Sequence, residues 1–172
     1  DRWYEFATDS PTLDGGGRGL VAGGNNPDQS NSIQFVTIST AGNSTDFGDL
    51  TDARGYQASS SNSVRGLNAG GYDGSSALNT IDFVIIATTG NASDFGDLVQ
   101  AAQSVAGNCN SVTGIFAHTY GPAYSQNVTK INMASTGNSV NFAERTHIST
   151  PTQGASSSTR GVFCGGYAPS PT

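Results

Sequence analysis

Arg65-Gly66-Leu67-Asn68-Ala69-Gly70-Gly71 decides how this chain is read, because variants of it recur three more times. Arg18-Gly19-Leu20-Val21-Ala22-Gly23-Gly24 precedes it, Thr113-Gly114-Ile115-Phe116-Ala117-His118-Thr119 comes after it, and Arg160-Gly161-Val162-Phe163-Cys164-Gly165-Gly166 is last. The starts at 18, 65, 113 and 160 lie 47, 48 and 47 residues apart. So even a spacing in 172 residues marks a repeat architecture, and a period near this length points to propeller blades.

Aligning the chain on this element brings the rest of each repeat into register. Ile33-Gln34-Phe35-Val36-Thr37-Ile38 is matched by Ile81-Asp82-Phe83-Val84-Ile85-Ile86 and by Val128-Thr129-Lys130-Ile131-Asn132-Met133. The first and third alternate apolar with polar residues, as a strand packed between sheets does. Gly42-Asn43, Gly90-Asn91 and Gly137-Asn138 then supply turns, since both residue types tolerate positive φ. A short third strand comes next in Asp46–Leu50, Asp94–Leu98 and Asn141–Arg145, each pinned by one Phe. A small polar segment (57–61, 105–109, 153–157) leads back into the Arg-Gly strand. Four short antiparallel strands per repeat make one blade, and the small strand belongs at the crowded axis.

The expected fold is therefore all-β, a β-propeller of about four blades in a single domain over 1–172. Arg2-Trp3-Tyr4-Glu5-Phe6-Ala7-Thr8 aligns with the aromatic strand of a blade, while 160–166 is the Gly-Gly strand of another. Together the N- and C-terminal strands make one composite blade, which removes two exposed sheet edges. That blade is sixteen residues short, and the gap falls on the turn and outermost strand. A fragment of a larger ring is the competing explanation.

Composition narrows the function. Gly numbers 23, charged residues are 12% and the net charge is −6, which suits short strands and tight turns and disfavours a nucleic-acid partner. No apolar run is long enough for membrane insertion as a helix. Cys109 and Cys164 occupy different parts of the repeat and read as two buried thiols, not a disulfide.

The order of small strand, apolar strand ending in Gly-Gly, aromatic strand and aromatic-x-x-Leu resembles the kelch repeat. Phe47 and Phe95 stand where kelch repeats usually carry Trp, and Arg54 where they often place an Arg. Ile81-Asp82-Phe83-Val84, Gly90-Asn91-Ala92-Ser93-Asp94-Phe95-Gly96-Asp97-Leu98 and Ser156-Ser157-Ser158-Thr159-Arg160-Gly161-Val162-Phe163 resemble degenerate kelch-like repeats of tail-fibre and other virion proteins of marine bacteriophages, cyanophages among them. The resemblance spans about Trp3 to Tyr167 and is weakest in the third repeat, where His118-Thr119 replaces Gly-Gly. It implies a non-enzymatic virion structural or host-attachment protein, extracellular or on the particle. Its partners would be other virion proteins or a host-surface glycan, and self-association into a homo-oligomer stays open. The alternative is a secreted enzyme or lectin acting on carbohydrate, sialidase-like or galactose-oxidase-like.

Residue by residue, the case for catalysis is thin, and neither a catalytic residue nor a metal or cofactor is expected. Ser44–Asp49 resembles the start of an Asp-box turn, which is structural even in sialidases. Asp46, Asp49, Asp94 and Asp97 could gather calcium, yet solvated turn carboxylates account for them better. A galactose-oxidase-type copper site would need Tyr120, Cys109, His118 and His147 to converge, and nothing in the repeat makes them meet. His118 reads as a surface substitution. Arg18, Arg65 and Arg160, fixed in the repeat, read as holding turn carbonyls or carboxylates of the adjoining blade. Recognition belongs instead on the variable loops 25–31, 72–79 and 120–127, which emerge on one face. Tyr72, Asp73, Tyr120, Tyr124 and Tyr167 are the candidate ligand-binding residues, although solvated turns would also use them.

Overall fold

Short alternating segments broken by Gly turns leave the chain no option but strands, and the computed structural model shows them in the expected order. It describes residues 17–25, 27–120, 124–149 and 153–166. The first module contributes β1 (Arg18–Ala22), β2 (Ser32–Thr37) and β3 (Thr45–Asp49). The second contributes β4 (Ala58–Ser61), β5 (Arg65–Ala69), β6 (Thr80–Ile85) and β7 (Ser93–Asp97). The third repeats that plan in β8 (Ala106–Cys109), β9 (Thr113–Ala117), β10 (Asn127–Asn132) and β11 (Val140–Glu144). β12 (Gln153–Ser156) and β13 (Gly161–Cys164) pair as a fourth. Each sheet is an antiparallel meander in chain order, with no helix among the described residues. The described sheets form a succession that does not close on itself, and the strand expected over 2–8 lies outside the described residues.

The modules touch along three lines. On the inner line, β4, β8 and β12 approach so closely that a Cβ on Gly107 would lie 2.6 Å from the Ser59 carbonyl oxygen. Small residues are obligatory there, as their position in the repeat implies. In the middle, Arg18 donates to the Ile86 carbonyl and Arg65 to the Met133 carbonyl, each at 2.8 Å. The guanidinium carbons also lie 4.8 and 5.0 Å over the rings of Phe35 and Phe83. Both arginines thus hold a carbonyl of the following module.

The outer line is a ladder between one module's last strand and the next module's Gly-Asn turn. Gly90 N donates to Phe47 O and Ala92 N to Asp49 O, both at 2.7 Å, while Asp49 N donates to Asn91 Oδ1 at 3.1 Å. The same three bonds recur one junction later from Gly137 N to Phe95 O, Ser139 N to Asp97 O and Asp97 N to Asn138 Oδ1. In the turns only the glycines adopt positive φ (Gly90 +154°, Gly137 +149°), and the asparagines serve as caps for the neighbouring strand. In β3, β7 and β11 alike the register slips by one residue, leaving Phe47, Phe95 and Phe142 as the extra residue of a bulge. The bulge turns Phe47 and Phe95 inward, edge-on to Phe35 and Phe83 at 6.1 and 5.9 Å. Phe142, with no turn laid against its strand among the described residues, is 54% exposed beneath the Lys130 ammonium.

The structure corrects two expectations. The cysteines are not buried: Cys109 is half-buried and Cys164 exposed. In β8 Ala106 and Asn108 take the buried places, and the half-buried Cys109 packs at the margin of the core, its thiol donating to the Ser61 carbonyl of β4. Ser44–Asp49 is also no turn, because residues 45–49 are β3 itself.

Gly96 carries φ +141°, and a Cβ there would sit 2.6 Å from the Gly137 carbonyl; Gly42 has open space around it. Gly96→Ala should therefore cost about 2–3 kcal/mol, and Gly42→Ala less than about 1 kcal/mol, in urea unfolding monitored by circular dichroism. Equal losses would show that the ladder does not limit the packing of the modules.

Candidate functional site

The Gly-Gly pair that ends the Arg-Gly strand positions the loop beyond it. Gly70 and Gly71 take φ +65° and +114°, and a side chain on Gly70 would meet the Ala102 carbonyl of the next module at 2.5 Å. Gly71 N donates to that same carbonyl at 2.8 Å. The chain must therefore turn outward, and the next residue, Tyr72, is locked by paired backbone bonds to Gly55 at 2.8 and 3.0 Å. One module later Tyr120 is paired with Gln103 in the same way, at 2.6 and 3.3 Å.

Repetition of this device sets Tyr72 and Tyr120 on the same side, and the linkers they pair with add a third ring. Tyr56 and Ser104 hold equivalent places in successive linkers and are, among the described residues, the two non-glycine residues with positive φ, 59° and 56°. Ser104 N donates to the Tyr56 carbonyl at 2.9 Å, which joins the two linkers. The result is an open cleft of about 720 Å3 lined by Tyr56, Tyr72, Tyr120, Asn25, Gln103 and Ser104. Its remaining described lining is Ser and Ala, so no charged side chain among the described residues faces it.

The structure thus brings together Tyr72 and Tyr120 of the expected set. Tyr124 does not line the cleft, but packs edge-on against Tyr120 at 5.2 Å and 69° and braces that ring. Asp73 is occupied by its own turn, accepting bonds from the amides of Ser75 and Ser76 and from both hydroxyls. These donors, the Ser76 amide foremost, hold its carboxyl down to about 2. Tyr167 lies outside the described residues. Sequence reasoning missed Tyr56, Gln103 and Ser104, and reached Asn25 only as the first residue of the variable loop 25–31. The one signal for Tyr56 was an aromatic in a linker whose counterpart position holds Ser104.

Below the cleft the junctions bury polar groups, and they do so differently. At the first, Arg54 and Asp82 are fully buried and paired at 2.7 Å, with the Thr51 amide and hydroxyl completing the carboxylate. At the third, Arg145 stands where Leu50 and Leu98 stand, and donates to the carbonyls of His118, Ser125 and Ser149 at 2.6–2.7 Å. His118 is not the surface substitution expected of it. It is completely buried, its Nε2 lying 2.8 Å from Thr129 Oγ1. Because His118-Thr119 avoids the left-handed bend of Gly-Gly, its side chains enter the junction, and Thr119 Oγ1 supplies the Ser149 carbonyl at 3.2 Å.

A second cavity of about 340 Å3 runs along the inner strands, lined by Ser59, Ser61, Asn68, Asn108, Gly154 and Ser156 among others. Arg18, Leu20, Ile33, Leu67 and Ile86 share this lining with the small polar residues. The residue types of a galactose-oxidase site stay apart: Cys109 pairs with Gly114 at one end of β9, whereas His118 comes after the other end. Among the described residues no three His, Cys, Asp or Glu side chains gather as cation ligands. The sequence matches no protein-family model and no curated protein.

Burial, helped by the charge of Arg145, holds the His118 imidazole down to about 4 from its ordinary 6.5. Between those values the unfolded chain binds a proton that the folded chain refuses. The stability is therefore complete above pH 6.5 and drains away as the pH falls toward 4. The slope from this residue should be about 1.4 kcal/mol per pH unit, and about 3 kcal/mol in total. Unfolding free energies at several pH values should show that drop in the parent and its loss in His118→Gln; parallel curves would refute it.

Proposed function

We propose that this chain is a non-enzymatic recognition module: a four-bladed, kelch-like propeller carried on a phage fibre or virion surface, holding a host-surface glycan in the tyrosine cleft. The observation that carries the reading is the convergence of Tyr56, Tyr72 and Tyr120 from two successive modules into one cleft. Tyrosines present large, rigid, amphipathic faces at little entropic cost, and repeat scaffolds place variable loops side by side for contact. The described lining offers no pair of carboxylates and no nucleophile set beside a base, so it favours holding a ligand over turning it over. The virion setting rests on the resemblance of the repeats.

Closure of the ring accounts for one further feature. Val84 and Ile86 of the second module are buried against the first, whereas their counterparts Val36 and Ile38 are 36% and 72% exposed. A composite blade of Trp3–Thr8 laid beside β13 would cover that face. Such a blade lacks the Gly-Asn turn, in keeping with Ala143 at the place of Gly48 and Gly96 in β11.

Binding and closure are each open to measurement. Fluorescently labelled protein should bind host cells, and Tyr120→Ala should weaken that binding about tenfold or more, as loss of a central aromatic anchor does. No binding to cells or to virions would end the proposal. Trp3 is the only tryptophan, so its emission should be blue-shifted and shielded from acrylamide until the unfolding transition if the ring closes; a solvent-like Trp3 would refute closure.

A further inference from the structure

The tyrosine cleft also carries information on the class of glycan, and this inference rests on the recognition reading above. From the groups that face the cleft and from those that are withheld from it, we infer that it selects uncharged saccharides and rejects acidic ones.

The groups that face the cleft are phenol, amide and hydroxyl. Tyr56, Tyr72 and Tyr120 supply ring surface for the C–H face of a pyranose, and Asn25, Gln103 and Ser104 supply donors and acceptors for its hydroxyls. Asn25 Nδ2 already reaches the Tyr56 hydroxyl at 3.3 Å, a long bond that a sugar hydroxyl could replace. The Tyr120 ring is held in place by Tyr124. Orientation of a hydroxyl-rich ring is thus provided for.

A carboxylate or sulfate finds no counterion. The arginines nearest this side are committed inward: Arg54 is buried against Asp82, and Arg145 is occupied by three backbone carbonyls. Neither guanidinium is among the residues that line the cleft, Arg54 being completely buried and Arg145 having its Nη1 and Nη2 on carbonyls, so neither offers a cation to a ligand there. The charge next along the chain from Tyr72 is negative, since the turn of Asp73 keeps that residue ionised. The whole chain adds a net charge of −6, so an anionic ligand is repelled before it arrives. An apolar surface with uncharged hydrogen-bonding groups and no cation is the reverse of an acid-sugar site.

The test uses the full chain on two matched panels of immobilised oligosaccharides: neutral gluco-, manno-, galacto- and N-acetylglucosamine oligomers, and their sialylated, uronate or sulfated counterparts. At least one neutral oligomer should bind, its acidic counterpart about tenfold or more weakly, and Tyr72→Ala and Tyr120→Ala should each lose the binding. Ala101→Lys, which places a cation at the rim without removing a hydrogen bond, should shift the preference toward the acidic counterpart in a salt-sensitive way. An acidic oligomer bound by the parent as tightly as its neutral match would overturn the inference and leave glycan recognition standing. Binding to neither panel would overturn both. Circular dichroism of each variant separates a lost site from a lost fold.

Discussion

The structure depends on one constraint: the last strands of the first and second modules each have their outer edge hydrogen-bonded by the Gly-Asn turn of the next. An unpaired strand edge in water costs little, but an edge buried against another sheet must be satisfied. The ladder from Gly90-Asn91-Ala92 to Phe47–Asp49, repeated from Gly137-Asn138-Ser139 to Phe95–Asp97, does that with two amides and one side-chain carbonyl each time. It also dictates glycine at 48 and 96, because a Cβ there would run into the turn backbone. The bulge at each Phe is a consequence, since it lets the strand meet the turn while its aromatic ring points into the core.

Where the ladder stops, the sequence changes. Ala143 replaces the glycine, Phe142 is left exposed, and Lys130 takes the place of Phe35 and Phe83 as the partner of that ring. The third module offsets its missing Gly-Gly pair with a network of buried His118, Thr119 and Thr129 and half-buried Arg145 and Ser149. The first junction reaches the same end with Arg54, Asp82 and Thr51. Both show a backbone geometry fixed by the repeat while the polar chemistry beneath it drifts, and neither network is fully satisfied: Arg54 Nε and Nη1, His118 Nδ1 and Arg145 Nε are buried without a hydrogen-bond partner.

The cleft is a by-product of that repetition. Equivalent loops are delivered to the same side by the same backbone pairing with the preceding linker, Tyr72 with Gly55 and Tyr120 with Gln103, although Gly70-Gly71 leads into one and His118-Thr119 into the other. Tyr72 and Tyr120 come from the loops and Tyr56 from a linker, and the site exists only because the modules lie side by side. Its uncharged lining is as informative as its tyrosines, since the nearby arginines have been drawn inward to satisfy the junctions.

The amino-acid sequence by itself determined the strands, their order and the antiparallel meander, because period-two alternation and Gly turns act locally. It determined too that Arg18 and Arg65 would serve a neighbouring module, since a residue kept at a fixed place in a repeat must meet the same surroundings each time. Only the tertiary structure decided that His118 is buried and that Asn91 and Asn138 cap a neighbour. It likewise settled that Cys109 is half-buried against the neighbouring module and that Tyr56 belongs beside Tyr72 and Tyr120. These depend on contacts between modules about 50 residues apart, where burial is set by what is packed opposite and not by the residue's own character.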